Sequence, residues 1–454
     1  MQDVVNQQIP SRPIPSAREK PLAKAMLVFS VNLLAISIVV FFLSPLKYIF
    51  TITSLFSLIC VAYSSLRLAA LLHQPSSIDF PEVPEEDLPI VSVLLPLYHE
   101  TNIVDQLIQN ICAIDYPKDK LDVIFVCEAD DPETVEAIKI NSKNPGRIFI
   151  TNGELPRTKP HALNQALSLA RGDIITVYDA EDRPHPGQIK QAALALLADD
   201  NLGVVQAPLT YYNARQNWLT KQFTLEYAAL FMVWLPFLSA AKLPFPLGGT
   251  SNHIRRTALD QIGGWDSWNV TEDADISFRL YALHWQLGYI DLPTHEEAVS
   301  KLIPWMKQRS RWMKGYMQTW LVHMSQPWRP FGMAAFRRLF TLNITLGFTL
   351  LAGFFYAPGF LFTLCVGVFG FMKLSALHIV IFFITTLLFS YSIGITIGAV
   401  GATRLGEDAL ILSSVWMPLY WLLLCPATLY ALWELWRTPF FWHKTEHGVR
   451  ALSV

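Results

Sequence analysis

A chain of 454 residues that is 52% apolar and only 16% charged is too hydrophobic to be wholly water-soluble, yet its middle has ordinary soluble composition, so an integral membrane protein with one sizeable soluble domain is expected. The formal net charge of −2 gives no global bias toward nucleic acid; no nucleic-acid partner is expected, and any anion site must come from local Lys and Arg. Cys60, Cys112, Cys127, Cys365 and Cys425 are scattered, odd in number and free of Cys-x-x-Cys spacing, which points away from zinc and disulfides and toward buried thiols in a reducing compartment.

After a tail over 1–25, Met26 to Ser44 and, past the Pro45-Leu46-Lys47 break, about 48–72 are each long enough to cross the roughly 30 Å hydrocarbon layer. They predict a transmembrane hairpin over 26–73. A cleaved signal peptide fits poorly, because the first segment starts late, lacks an Ala-x-Ala-like site and is followed at once by another span.

A soluble domain follows over 88–300. Ile90–Leu97, Val123–Cys127, Arg147–Thr151, Ile174–Tyr178 and Val204–Tyr211 read as strands, alternating with helix-like segments such as His161–Arg171 and Gln188–Ala198. That alternation gives an α/β sheet with helices on both faces and ligands beyond the strand C-termini.

Acidic clusters fall at two such ends. Cys127-Glu128-Ala129-Asp130-Asp131 closes the second strand and suits either a nucleobase or ribose contact or an ordinary Asp-Pro turn. Tyr178-Asp179-Ala180-Glu181-Asp182 follows the fourth, where two carboxylates one residue apart can share a hard divalent cation that bridges phosphates; a solvated acidic turn is the alternative. Between them, Lys159 in Thr158-Lys159-Pro160-His161 opens a helix and, with free backbone N–H groups, suits a phosphate. Further on, Asn269-Val270-Thr271-Glu272-Asp273-Ala274-Asp275 leads into a helix that Thr271 can cap, and an acid so placed is also a good general base for a sugar hydroxyl.

The apolar stretch Ala228–Ala241 is too short to span and reads as interfacial. Over 301–335, Pro304 opens an amphipathic helix with Trp305, Trp312, Met313, Tyr316, Met317, Trp320 and Leu321 in one broad arc. Gln308, Arg311 and Trp312 stand at i, i+3 and i+4 and share an edge, whereas Arg309 falls inside the apolar arc, which requires it to snorkel or to turn toward the soluble domain.

A bundle over 336–436 reads as about four spans, at 339–357, 358–372, 376–400 and 408–433, the first two separated by Ala357-Pro358-Gly359. Arg12, Arg18, Lys20, Lys24, Arg67, Arg337, Arg338, Lys373, Arg437 and Lys444 fit one side of the membrane, with Lys47 and Arg404 on the other. The positive-inside bias then puts both termini and the soluble domain in the cytoplasm. The segment 437–454 carries Phe441-Trp442-His443-Lys444-Thr445-Glu446-His447-Gly448, an aromatic and basic juxtamembrane stretch.

With these elements in this order, the chain resembles the membrane-embedded family 2 glycosyltransferases, the group containing cellulose, hyaluronan and curdlan synthases. The resemblance covers most of the chain, and Gln308-Arg309-Ser310-Arg311-Trp312 with the upstream Thr271-Glu272-Asp273 is its most specific part. It implies an α/β GT-A (Rossmann-like) cytoplasmic domain inserted in an α-helical transmembrane bundle, and inverting transfer from a nucleotide-diphosphate sugar with Mg²⁺ or Mn²⁺. Pro96-Leu97-Tyr98-His99-Glu100 is similar to the family's Pro-x-Tyr-Asn-Glu, with His99 in place of Asn; Tyr98 and Glu100 would serve the nucleotide sugar, Tyr98 against the base. Glu128 stands where Asp commonly contacts uracil, a departure that bears on uridine specificity. Lys159 would meet the diphosphate, and Asp179 with Glu181 would replace the metal-binding Asp-x-Asp, the longer Glu leaving a part for Asp182. Asp273 would be the catalytic base beside Glu272. Gln308, Arg309, Arg311 and Trp312 would face the acceptor or diphosphate, and Gly248-Gly249-Thr250-Ser251-Asn252-His253 would shape the acceptor side as in a bacterial subgroup. Lys444, Thr445 and His447 resemble in position a cytoplasmic gating segment.

The implied function is processive β-glycan synthesis from a UDP-sugar coupled to export across a bacterial inner membrane, with a growing polysaccharide, membrane lipids and accessory export proteins as partners. The alternative is a single transfer to a lipid acceptor such as diacylglycerol. A sugar-binding transporter or receptor subunit fits less well, since the spans hold few ionisable residues, with Lys373 and Glu434 near their ends.

Overall fold

The computed structural model describes residues 14–19, 32, 35–73, 80, 82–328, 332–370 and 377–441. Seven strands form the central sheet in the order β3-β2-β1-β4-β8-β6-β9. Strands β1 (Val91–Leu97), β2 (Leu121–Cys127), β3 (Arg147–Ile150) and β4 (Ile174–Val177) run parallel, as does β6 (Leu202–Gln206) with β9 (Gln286–Tyr289); β8 (Asn252–Arg255) is antiparallel to both β4 and β6. The strands β1, β2 and β4 are buried on both faces, which is why they read as unbroken apolar runs. Beside the sheet, β5 (Arg183–Pro184), β10 (Thr294–Glu296) and β7 (Leu209–Tyr211) make a three-stranded patch.

Val204–Tyr211 is two strands rather than one, because Pro208 lacks the N–H needed to continue the ladder. The helix expected over His161–Arg171 runs from Lys159 to Leu167, so Lys159 itself begins it. Two of the five free cysteines, Cys112 and Cys365, are exposed rather than buried.

Helices used below are α1 (Pro45–Leu72), α2 (Lys159–Leu167), α3 (Trp218–Ala229), α4 (Glu272–Ala282), α5 (Leu302–Met324), α6 (Phe348–Gly370), α7 (Leu377–Leu405) and α8 (Leu424–Arg437). Helix α3 continues through a π turn, Leu230–Trp234, into Leu235–Ala240, making a 23-residue apolar rod where a short stretch was expected. Both ends are tied to the soluble domain, Asn217 Nδ2 donating to the Ser300 carbonyl at 2.8 Å and Ser239 Oγ to that of Leu287 at 3.3 Å. The rod therefore lies along that domain.

Four described helices are long and apolar enough to cross a membrane: Phe50–Leu72, Trp218–Ala240, Met333–Leu361 and Ile384–Leu405. Ala357-Pro358-Gly359 does not separate two spans; Pro358 lies inside α6. A proline there leaves the carbonyl of Phe354 without its helical donor, and the Cys425 thiol reaches that oxygen at 3.9 Å. Arg404 also differs from expectation. It donates to the carbonyls of Met232 at 2.9 Å and His73 at 3.1 Å, on the side of the soluble domain. The following 408–437 segment bends by 45° within itself. Both its ends meet the soluble side, Glu407 at Arg215 (3.0 Å) and Thr438 at Lys314 (3.4 Å), so it turns back instead of crossing. Lys373 and residues 26–31 and 33–34 of the first predicted span lie outside the described residues.

One packing contact sets where the membrane-surface helix sits. A Cβ on Gly315 would lie 2.2 Å from Thr271 Oγ1, so only glycine lets α5 cross the start of α4 at this distance. Thr271 accordingly does not cap α4 with its side chain; its own N–H goes to Asn269 Oδ1 at 3.1 Å, and Asn269 Nδ2 reaches Thr319 on α5 at 2.8 Å. Gly315→Ala is expected to cost about 1–3 kcal/mol by overpacking and to lower turnover as α5 shifts; thermal melting and activity of the variant measure both.

Candidate active site

The strand ends deliver the acidic clusters as the parallel sheet requires. Tyr98 to Glu100 follow β1, Glu128 follows β2 and Asp179 follows β4. A single cavity of about 800 Å³ is lined by Tyr98, Glu100, Glu128, Lys159, Asp179 and Glu181, and across it by Glu272, Asp273, Gln308, Arg309, Arg311 and Trp312. Lys444, Thr445 and His447 lie outside the described residues, but Phe441 just before them reaches this lining.

On the strand side, His99 has φ +53°, in the left-handed region where Asn, Asp and His are enriched, so His serves in place of the expected Asn. Its N–H donates to Asp131 at 2.5 Å. Glu128 accepts from the Thr151 hydroxyl at 2.6 Å, which fixes its carboxylate at the end of β2. Lys159, the first residue of α2, pairs with Asp179 and donates to the Gly249 carbonyl at 2.7 Å.

Carboxylates crowd this end of the cavity. Asp182 is fully buried and accepts from the Asp179 N–H at 2.7 Å and from the Thr250 hydroxyl; it shapes the turn rather than facing the cavity. Glu296 on β10 also lines the cavity. Burial first, then Asp179, pushes Glu181 up to about 8. Asp182 and Glu296 are raised as well, by burial and then by neighbouring carboxylates of the same group.

Opposite, Glu272 is pushed up to about 7 by burial and by Asp273. Asp273 is raised by burial, against which Lys159 and Arg311 act. Its Oδ1 accepts the Ala274 N–H at 2.7 Å, and its Oδ2 would lie 3.3 Å from a Cβ on Gly249, so the glycine leaves room beside the carboxylate.

Helix α5 supplies the third wall. Gln308, Arg311 and Trp312 share the cavity edge, and Trp312 packs against Phe223 and Tyr227 with ring centroids 5.9 and 6.2 Å away. Arg309 turns inward. Its guanidinium makes a fork with Glu226, with Nη1 2.9 Å from Oε1, bonds the Tyr420 hydroxyl at 3.0 Å and lies 4.6 Å over the rings of both Phe223 and Trp312. It positions Trp312. Glu226 and Glu296 were missed from sequence. Glu226 left one signal, an acid alone in the apolar run of α3, while Glu296 sits in no motif.

The residues present fit a divalent cation. Among the described residues, no three His, Cys, Asp or Glu side chains are arranged as ligands. Asp179 and Glu181 are two crowded carboxylates at the cavity, the number Mg²⁺ takes when substrate phosphates and water complete its shell. A cation would offset the burial and the Asp179 charge that together raise Glu181.

The family described as Glycosyl transferase family group 2 matches residues 174–434. The chain is 29% identical over 238 residues to a beta-monoglucosyldiacylglycerol synthase of Trichormus variabilis, covering 52% of this chain and 50% of that one. It is 27% identical over 244 residues to the probable glucomannan 4-beta-mannosyltransferase 1 of Arabidopsis thaliana, covering 52% and 44%. The chain thus spans about half the length of the curated relatives it matches. Among solved structures, the mannosyltransferase PcManGT of Pyrobaculum calidifontis, in complex with GDP-Man and Mn²⁺, superposes with a TM-score of 0.53 at 17% identity, covering 83% of this chain and 99% of that one. That likeness shows a shared GT-A fold.

Glu226→Gln removes the carboxylate charge that pairs with buried Arg309 and leaves it neutral acceptors, one amide oxygen and the Tyr420 hydroxyl. The expected cost is about 3 kcal/mol, the low end for an uncompensated buried charge because Glu226 partly faces the cavity; a lowered melting point with a raised acceptor KM is the readout.

The carboxylate crowding predicts a pH dependence. An ordinary Glu titrates near ~4.3. Between there and about 8 the folded protein keeps a proton on Glu181 that the unfolded chain has lost, so ligand-free stability falls as pH rises through this window. A cation bound at Asp179 and Glu181 would displace that proton. Calorimetric titration with Mn²⁺ and UDP is expected to show affinity rising by about tenfold per pH unit below pH 8 and levelling above, with the slope lost in Glu181→Gln.

Proposed function

The chain belongs to the glycosyl transferase family group 2, and from that premise we propose that it transfers a hexosyl unit, with inversion, from a UDP-sugar to the end of a growing β-linked polysaccharide and passes the product into its own membrane helices. The observation that carries this reading is the continuity of one cavity. From Asp179 and Asp273 it runs past Trp312 into the helix bundle, where Tyr356, Ser390, Tyr391 and Trp421 line it. Aromatic faces with hydroxyl groups between them suit sugar rings, which offer apolar faces and polar edges.

In this reading Tyr98 and Glu128 hold the nucleoside and Lys159 leaves Asp179 for the diphosphate. Mg²⁺ or Mn²⁺ on Asp179 and Glu181 would neutralise the leaving group. Trp312 carries the terminal sugar of the acceptor, with Gln308 and Arg311 beside it. The Asp273 carboxylate takes the proton from the acceptor hydroxyl; that oxygen attacks the anomeric carbon opposite the diphosphate, which departs with the bonding pair. Lys444, Thr445 and His447 would serve as the gate for bound nucleotide. The catalytic side is cytoplasmic, because Arg404 joins the basic residues there and so adds to the positive-inside bias. Residues 26–73 and 336–436 form the membrane part, 88–300 and 301–335 the transferase and its interfacial helix. Accessory proteins would carry polymer beyond the membrane.

A second reading is a single transfer to a lipid acceptor such as diacylglycerol. It is favoured by Leu230, Phe231, Leu346 and Phe348, which make part of the same cavity apolar, and by the kinship to a beta-monoglucosyldiacylglycerol synthase.

Detergent-purified protein incubated with radiolabelled UDP-sugars and Mg²⁺ or Mn²⁺ separates these readings. Long polymer is expected, and Asp273→Asn should lower kcat by about 10²- to 10⁴-fold while UDP binding persists. One sugar on lipid would replace the first reading with the second; no turnover of any donor would sink both.

A further inference from the structure

Arg67 carries a charge that neither reading uses. It stands on α1, and the residues on either side of it along the same face, Ser64 and Ala70, are 5% and 0% exposed. The opposite stripe, Leu55, Leu58, Ile59 and Leu72, is the exposed one. Arg67 thus faces the protein interior, where it lines the cavity. Its Nε is buried with no hydrogen-bond partner, and among the described residues no carboxylate lies within ion-pair distance. The Tyr63 ring lies 5.5 Å from the guanidinium carbon. Tyr63 in turn stacks on Phe348 at 3.6 Å and meets Trp234 edge-on at 6.0 Å.

A cation turned into the protein is costly to desolvate unless an anion meets it. The route from the catalytic wall supplies the place for one. Tyr227, Phe231 and Trp234 follow one another along the helix that contacts Trp312 at one end and Tyr63 at the other, spanning about 10 Å at ~1.5 Å per residue. An acceptor whose end sits on Trp312 therefore extends along these rings toward Arg67.

We infer that Arg67 binds an oxyanion carried by the acceptor some way behind its reacting end. The planar guanidinium fork suits either a phosphate on a lipid acceptor or the carboxylate of a uronic acid in a glycan. The inference rests on the transferase reading for the word acceptor, and its geometry stands without it.

Two pairs of probes, each differing in one charged group, test it by native mass spectrometry of the purified full chain. The pairs are dioleoyl phosphatidic acid with dioleoylglycerol, and a glucuronate-bearing β-linked tetrasaccharide with cellotetraose. In the wild type, the charged member of one pair is expected to bind at least about tenfold more tightly, and the pair that responds names the source of the oxyanion. Arg67→Gln should erase that preference and Arg67→Lys keep part of it; Arg67→Met, which retains the unbranched stem, serves if the Gln variant does not fold. Equal binding within both pairs, or a preference that survives in Arg67→Gln, overturns the inference. Wild-type turnover of UDP-sugars, followed in parallel, separates its fate from that of the transferase reading: Arg67-dependent anion binding without turnover would uphold the first and remove the second.

Discussion

Like-charge crowding is the constraint around which the rest is arranged. Asp179, Glu181, Asp182 and Glu296 converge on one side of a cavity, with Glu272 and Asp273 across it, and the nearby compensating cations are Lys159 and Arg311. Carboxylates brought this close and taken out of water retain protons, and the folded chain must hold them there. It does so with directed contacts: Asp182 receives the Thr250 hydroxyl and the Asp179 N–H, and Lys159 sits on Asp179. The ligand-free site is thereby poised. A cation would take the place of the proton on Glu181, and a diphosphate that of the Asp179 carboxylate as the partner of Lys159, each exchange keeping the sign of the charge.

The opposite wall depends on α5, whose two edges do different work. One edge presents Gln308, Arg311 and Trp312 to the cavity. The other is fixed by polar bonds within the protein: Arg309 to Glu226 and Tyr420, Ser310 Oγ to Glu434 at 2.8 Å, and Lys314 Nζ to the Phe441 carbonyl at 2.7 Å. Because Gly315 lets this helix touch Thr271, the first turn of α4 is packed directly against the helix that carries Trp312. Lys314 ties the same helix to the root of the C-terminal segment. A helix amphipathic enough to pass for a membrane-surface element is also the frame of the active site.

Sequence revealed most where the chemistry is local. Strand termini followed by acids, and Gln308, Arg311 and Trp312 at helical spacing, led to residues that the fold does bring to one cavity, since each pattern fixes its own geometry within a few residues. It revealed least where partners are far apart. Glu226 and Arg309 are 83 positions apart; each stands out as a charge on an apolar face, but nothing in either neighbourhood says that the two meet. Glu296 reaches the acidic cluster through a strand of three residues, too short for a period. The membrane region misled for a different reason: Pro358 was taken as a break, whereas Cys425 from another helix supplies the donor that its missing N–H leaves wanting.

The returning segment over 408–437 bears on how far a product can travel. A chain that turns back inside a membrane exposes carbonyls that have no water to bond, and such backbone survives only where protein satisfies it. The Pro418 carbonyl accepts from the Tyr356 hydroxyl at 3.0 Å, and Tyr356 is 2.8 Å from the Tyr391 hydroxyl. These two tyrosines also line the far part of the cavity, so the bond that stabilises the turn lies on the path beyond Trp421. Under the polymer reading, a lengthening glycan must exchange its own hydroxyls for that bond, and the exchange conserves hydrogen bonds. A diacylglycerol product has no such groups to offer at its tails, so the tyrosine pair would remain closed and the lipid would leave sideways. The same pair of hydroxyls would thus meet polar groups under the first reading and apolar tails under the second.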